Sequence, residues 1–317
     1  MAELSSEICG IQFPSALVNA AGAKDVTADD LTSLATSDAG GVVIKTTTTE
    51  FRAGNPTPRW HTTSLGSLNS MGLPNLGIDR YVELVPQLKT LGKPLVASVS
   101  GMKPGDNEAM IAAYDKAGVD MIEVNLSCPN LAGKGQLGYD FEASRNMLES
   151  CRKETAKPMG VKLPPYLDMY HFERMAEVLV ETRVDFIVTI NSVGNTLVID
   201  PEKERKVIAP NSGFGGLGGA YVKPVALASV HKFYQLLGDR VPIIGIGGVG
   251  SGVDAFEHFL AGASAVGVGT ALVNEGPAVF GRLNAELSSV LDEHKYGSVS
   301  AARGQLKELS VPDSVKK

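Results

Sequence analysis

Apolar residues along the chain gather in short blocks. Eight of them, at 16–20, 41–44, 94–99, 121–124, 159–163, 186–190, 242–246 and 265–268, have the length of strands and little polar alternation. Segments with helical spacing follow them, at 27–37, 78–90, 106–117, 141–155, 169–182, 222–237, 253–260 and 277–291. Strands apolar on both faces, each followed by a helix, predict an α/β TIM (β/α)8 barrel in one domain spanning 1–317. An open doubly wound sheet shares the alternation, so the placement of unusual residues has to decide between the two.

A barrel gathers its ligand site at the C-terminal ends of its strands. Asn19, Ala20, Ala21 and Gly22 close the first apolar block, and Lys45 and Thr46 the second. Asn125 and Cys128 follow the fourth, Lys162 lies at the end of the fifth, and Ile190, Asn191 and Ser192 end the sixth. Gly247 and Gly248 follow the seventh, and Gly269 and Thr270 the eighth. Clustering after seven of eight strands favours the closed barrel over a sheet with one crevice.

Two long insertions interrupt the alternation, one after strand 2 (46–77) and one after strand 6 (191–221). Insertions of this size are usually functional or disordered. The first holds Asn69-Ser70-Met71-Gly72-Leu73-Pro74-Asn75, whose amides and apolar neighbours suit a flat polar heterocycle. The tail 310–317 is polar and without period, and a loosely ordered end is expected.

Cys128 stands in Asn125-Leu126-Ser127-Cys128-Pro129-Asn130, a thiol between amides beside a strand-ending proline. A dry core would not satisfy those amides, so Cys128 reads as a reagent, while Cys9 and Cys151 read as small packed hydrophobes. Lys45 and Lys162, each at the end of a buried strand, read as charge stabilisers aimed at one pocket. The stretch 129–138, with Gly133, Gly135 and Gly138, reads as a lid.

Gly245-Ile246-Gly247-Gly248-Val249-Gly250 fits the G-x-G-x-x-G fingerprint, but around 264–270, where a ribose-binding acid should fall, there is none. A phosphate cradle formed with Gly269 and Thr270 is the better reading, and it implies a phosphorylated cofactor.

The net charge of −6 and the scattered Lys and Arg residues argue against a nucleic-acid partner. No apolar run approaches the ~20 residues of a membrane span. Three cysteines cannot build a disulfide framework and no secretory leader opens the chain, so a cytoplasmic location is expected. The five histidines show no zinc-ligand spacing, and no metal site is expected.

Together, NLSCPN at 125–130, NSMGLPN at 69–75, GVKLPPY at 160–166, GFGGLGGAYVKP at 213–224 and IGIGGVGSGVDAFEHFLAGA at 244–263 resemble the class 1 dihydroorotate dehydrogenases, most closely class 1A. The resemblance runs from about Ile8 to Leu309. It implies an FMN-dependent barrel that oxidises (S)-dihydroorotate to orotate in pyrimidine biosynthesis, with fumarate, reduced to succinate, as electron acceptor and a homodimer as assembly. By this resemblance Cys128 is the base that takes the C5 proton while hydride leaves C6 for flavin N5. Lys45, Asn69, Met71, Gly72, Leu73, Asn125, Asn130, Asn191 and Ser192 would hold the substrate. Ala20, Ala21, Gly22, Lys45, Thr46, Asn125, Lys162, Ile190, Gly219, Gly247, Gly248, Gly269 and Thr270 would hold FMN, with Lys162 beside N1.

Class 2 members use serine as base and meet the membrane through an N-terminal extension. Here the position is Cys128, and about fifteen residues precede the first strand. A class 1B catalytic subunit, which passes electrons to an FAD and iron–sulfur partner and then NAD, is the alternative within the family. A phosphate-binding barrel isomerase without flavin is the alternative outside it, and protein colour separates the two.

Overall fold

The computed structural model describes residues 2–127 and 135–309. Its central sheet has eight strands, Leu17–Asn19, Val42–Val43, Leu95–Val99, Met121–Asn125, Met159–Lys162, Phe186–Thr189, Ile243–Ile246 and Ala265–Val268, called here the first to eighth barrel strands. They pair in parallel in chain order, and the eighth returns to the first with Val266 opposite Leu17 and Val268 opposite Asn19. Each lies within or one residue beyond the block the hydrophobic pattern marked.

The first and second barrel strands share no regular ladder, and two other contacts span the seam. The Gly40 amide donates to the Leu17 carbonyl at 2.7 Å. The Asn19 side chain then pairs with both backbone groups of Val43. The sheet thereby becomes a TIM barrel.

Strand residues alternate between two cores. Val18, Val43, Val96, Met121, Phe186, Ile244 and Ala265 fill the barrel, joined by Ile8 and Phe13. Ile8 and Phe13 belong to a hairpin, Ser6–Ile8 with Ile11–Phe13, that plugs the N-terminal end of the barrel. The hydrophobic pattern did not mark it, because three-residue strands are too short to show a period. Its turn is Cys9-Gly10, both with positive φ, as a two-residue hairpin loop requires.

The outward residues Leu17, Ile44, Ala97, Ile122, Val161, Ile187 and Val266 pack against surrounding helices. These helices are Ala28–Ala35, Ile78–Lys89, Asp106–Ala117, Phe141–Arg152, Met169–Glu181, Lys223–Leu237, Gly252–Ala261 and Val279–Glu293. Their starts are written in the sequence: Thr27 and Asp30 form a reciprocal capping box, and Asp140, Asp168 and Ser251 cap their helices through side-chain oxygens. A short helix, Thr270–Glu275, follows the eighth strand directly.

The two insertions are neither independent nor unstructured. They meet in one antiparallel sheet, ordered Val193–Thr196, Gly215–Gly219, Gly66–Asn69, Trp60–Thr63, over the C-terminal end of the barrel. Gly66 and Gly219 stand opposite each other there, and a Cβ on Gly66 would lie 2.0 Å from the Gly218 carbonyl oxygen. Only glycine lets the two insertions approach so closely. The GGLGG part of the GFGGLGG run, Gly215–Gly219, is thus a strand of this sheet. The tail 310–317 and most of the stretch read as a lid lie outside the described residues.

Candidate active site

The C-terminal ends of the barrel strands and the four-stranded sheet enclose a cavity of about 750 Å³. That is within the ~300–1,000 Å³ usual for ligand pockets. Its wall contains every described residue that the resemblance assigned to substrate or cofactor: Ala20, Ala21, Gly22, Lys45, Thr46, Asn69, Met71, Gly72, Leu73, Asn125, Lys162, Ile190, Asn191, Ser192, Gly219, Gly247, Gly248, Gly269 and Thr270. Asn19, expected among the strand-end residues of the site, is instead buried at the barrel seam, where its side chain pairs with the Val43 backbone. Cys128 and Asn130 lie outside the described residues.

Lys45 and Lys162 are buried at the ends of the second and fifth barrel strands. Lys162 Nζ reaches the Ala21 carbonyl at 3.5 Å, and a Cβ on Gly22 would stand 3.0 Å from Lys45 Nζ. Both cations therefore border the segment 20–22 in a cavity whose other described lining residues are all uncharged. Buried cations attract an anionic ligand far more strongly than surface ones do.

Asn125 is locked from two sides. Its Oδ1 accepts from the Ser127 amide at 3.0 Å and from Ser127 Oγ at 2.7 Å. Its Nδ2 faces Thr46 Oγ1 at 3.5 Å, and Thr46 Oγ1 lies 2.9 Å from Ser98 Oγ, which donates to Glu123 Oε1 at 2.6 Å. Because Ser98 spends its proton on the carboxylate, Thr46 donates to Ser98 and accepts from Asn125. Asn191 Nδ2 in turn donates to Ser127 Oγ at 2.7 Å. Asn125 and Asn191, from the ends of the fourth and sixth strands, therefore fix Ser127, the residue just before Cys128.

At the opposite end, Gly247 and Gly248 have positive φ, and a Cβ on Gly248 would lie 2.3 Å from that of Lys223. Backbone alone can occupy this turn, which leaves its N–H groups open to an anion. Thr270 Oγ1 sits 3.2 Å from Ser67 Oγ, tying the cap sheet to the eighth-strand loop. The residues present fit a flavin mononucleotide: glycine turns for the phosphate, buried cations for the ring, and one cavity of about 750 Å³ lined by both.

The dihydroorotate dehydrogenase family model matches residues 3–291. The chain belongs to the dihydroorotate dehydrogenase family. That family is flavin-dependent. Among relatives, dihydroorotate dehydrogenase A (fumarate) of Lactococcus lactis subsp. lactis is 45% identical over 310 residues, covering 96% of this chain and 100% of the relative. A protein named putative dihydroorotate dehydrogenase A (fumarate), from Streptococcus uberis, is also 45% identical, covering 98% and 100%. Among solved structures, the Eimeria tenella enzyme in complex with ferulenol superposes with a TM-score of 0.81 at 25% identity, over 96% of this chain and 88% of that one.

The other two thiols are weak acids in this member of the dihydroorotate dehydrogenase family, Cys151 buried and Cys9 half-buried. Burial pushes Cys9 and Cys151 up to about 12, with Asp185 adding to the effect at Cys9. No helix among the described residues is long and apolar enough to cross a membrane.

Sequence reasoning missed three buried polar residues that shape the dihydroorotate dehydrogenase site. Glu123 is 2% exposed inside the barrel, and its signal was available as the one charge within the block 121–124. His258 is buried in the helix Gly252–Ala261, and its Nε2 lies 3.0 Å from the Gly247 carbonyl, so Nε2 carries the proton and steadies the phosphate turn. Burial holds this imidazole down at about 4, hence neutral. Its bond to the turn has no signal in spacing. Asp25, fully buried behind Gly22, had no signal either.

Proposed function

We propose that this chain is a class 1A dihydroorotate dehydrogenase that binds FMN, oxidises (S)-dihydroorotate to orotate and passes the electrons to fumarate bound in the same cavity. The reading is supported chiefly by one observation: the buried lysines, the ordered amides and the glycine turns all converge on one cavity. The names of the 45% identical relatives support the choice of fumarate.

Bound FMN supplies a two-electron hydride acceptor. Gly219, Gly247, Gly248, Gly269 and Thr270 hold its phosphate and ribityl chain, Ala20, Ala21, Gly22, Thr46 and Ile190 its ring system, and Lys162 the edge that gains negative charge. Asn69, Met71, Gly72, Leu73, Asn125, Asn130, Asn191 and Ser192 hold the substrate ring and carboxylate, with Lys45 between substrate and cofactor. Cys128 removes the C5 proton, and the Asn125–Ser127–Asn191 network supplies the rigidity that a weak carbon acid demands of its base. A thiol titrating at its ordinary ~8.5 can take that proton and later return it. We further propose a single catalytic domain, a cytoplasmic location and a homodimeric assembly.

The test is anaerobic mixing of purified protein with dihydroorotate, followed at the flavin band, about 450 nm. Rapid bleaching in wild type, its loss in Cys128→Ala and recovery on adding fumarate are the expected results. Recovery only with a partner protein and NAD would replace class 1A by class 1B, and a colourless protein would remove the flavin reading.

A further inference from the structure

Asp25 is fully buried, and its Oδ1 has no hydrogen-bond partner among the described residues. Its Oδ2 accepts the Gly22 amide at 2.6 Å. Gly22 itself lines the cavity, and a Cβ there would lie 3.0 Å from Lys45 Nζ, while Lys162 Nζ reaches the carbonyl of the neighbouring Ala21. The carboxylate thus sits directly behind the loop whose cavity side the two lysines border. No catalytic step proposed above uses it. A buried carboxylate with an unfilled oxygen is expensive to keep, so a compensating field must hold it there.

We infer that Asp25 is a positioning residue for the cofactor end of the site: its carboxylate is the counter-charge of Lys45 and Lys162 and offsets part of their positive field where the bound flavin would gain negative charge on reduction. This rests on the FMN reading above. An anion behind the loop makes reduction harder, and by linkage reduction makes the anion harder to keep.

The charged and titratable groups around Asp25 are few. Lys45 and Lys162 face it from the barrel strand ends, Asp30 from the helix Ala28–Ala35, and the Tyr81 hydroxyl from the helix Ile78–Lys89. Burial raises the Asp25 carboxyl to about 6; Lys45, the Gly22 amide and Lys162 oppose that rise, and Asp30 adds to it. The counter-charge is therefore present at pH 8 and largely absent at pH 5.

The experiment compares the flavin midpoint potential of holoenzyme between wild type, Asp25→Asn and Asp25→Glu at pH 8 and pH 5. Asp25→Asn should shift the oxidised-to-reduced equilibrium at pH 8 toward the reduced form by roughly tenfold, about 30 mV upward for a two-electron couple. Asp25→Glu should stay near wild type. The gap between wild type and Asp25→Asn should close at pH 5, a difference that titration of the flavin itself does not produce. Should Asp25→Asn not accumulate, carbon-13 NMR of wild-type holoenzyme carries the test. An aspartate carboxyl titrating near pH 6 and moving higher on flavin reduction supports the inference, and no such carboxyl overturns it. A yellow wild type whose potential matches Asp25→Asn at both pH values overturns the inference alone. A colourless wild type removes the FMN reading and the inference together.

Discussion

The side-chain amide of Asn19 pairs with the backbone of Val43 as a strand would, Nδ2 donating to its carbonyl and Oδ1 accepting from its amide, each at 2.8 Å. The first and second barrel strands leave a gap in the ladder here, and a fully buried side chain supplies the missing rung. The barrel is closed by this contact and by the Gly40 to Leu17 bond beside it.

Asn19→Ala removes the partners of both backbone polar groups of buried Val43. We expect a loss of about 2–4 kcal/mol in unfolding free energy, read from urea denaturation, because two buried backbone groups go unpaired. A variant within ~0.5 kcal/mol of wild type would show that the seam does not depend on this amide.

His258 gives stability a pH dependence of known sign. The unfolded imidazole takes up a proton near 6.5, whereas the buried one does so only at about 4. Between those values the unfolded chain binds more protons, so falling pH favours unfolding, by roughly 3 kcal/mol across the window. Asp25, with its raised value, works in the opposite direction over part of it. His258→Gln isolates the histidine: its stability deficit against wild type at pH 7 should shrink as the pH approaches 4. His258→Leu, by contrast, should bind FMN more weakly, since the Gly247 carbonyl then loses its donor.

Lys162→Ala should leave the fold intact and slow flavin bleaching by dihydroorotate by roughly 10²-fold or more, the usual effect of removing a charge stabiliser. Stopped-flow single-turnover rates measure it; an unchanged rate would move the role to Lys45.

Thiol labelling distinguishes the three cysteines without any substrate. At pH 8 one thiol per chain, Cys128, should react with a maleimide, because burial keeps Cys9 and Cys151 protonated. Peptide mapping that finds Cys9 labelled as fast would contradict this. Orotate should protect the reactive thiol.

Glu123→Gln tests the chain that orients Asn125. The Ser98 hydroxyl loses its charged acceptor, and the effect should pass through Thr46 to Asn125, raising KM for dihydroorotate several-fold. A kcat change with KM unmoved would place Glu123 outside that chain.

The sequence by itself determined the eight strands, the helices around them and the mouth at which the site lies. Buried parallel strands must be apolar on both faces, helices carry their caps in local residues such as Thr27 and Asp140, and polar residues at strand ends survive burial only where a ligand or a hydrogen-bond partner meets them. The tertiary structure decided what depends on residues far apart in the chain. Gly66 and Gly219 mean nothing singly, and only their pairing merges two insertions into one capping sheet. Ile8 and Phe13 belong to strands too short to carry a period, and only the barrel's open end gives them a place. Asn19, Glu123, Asp25 and His258 are ordinary polar letters in sequence. Their roles come from burial and from partners across the barrel, which local spacing does not encode.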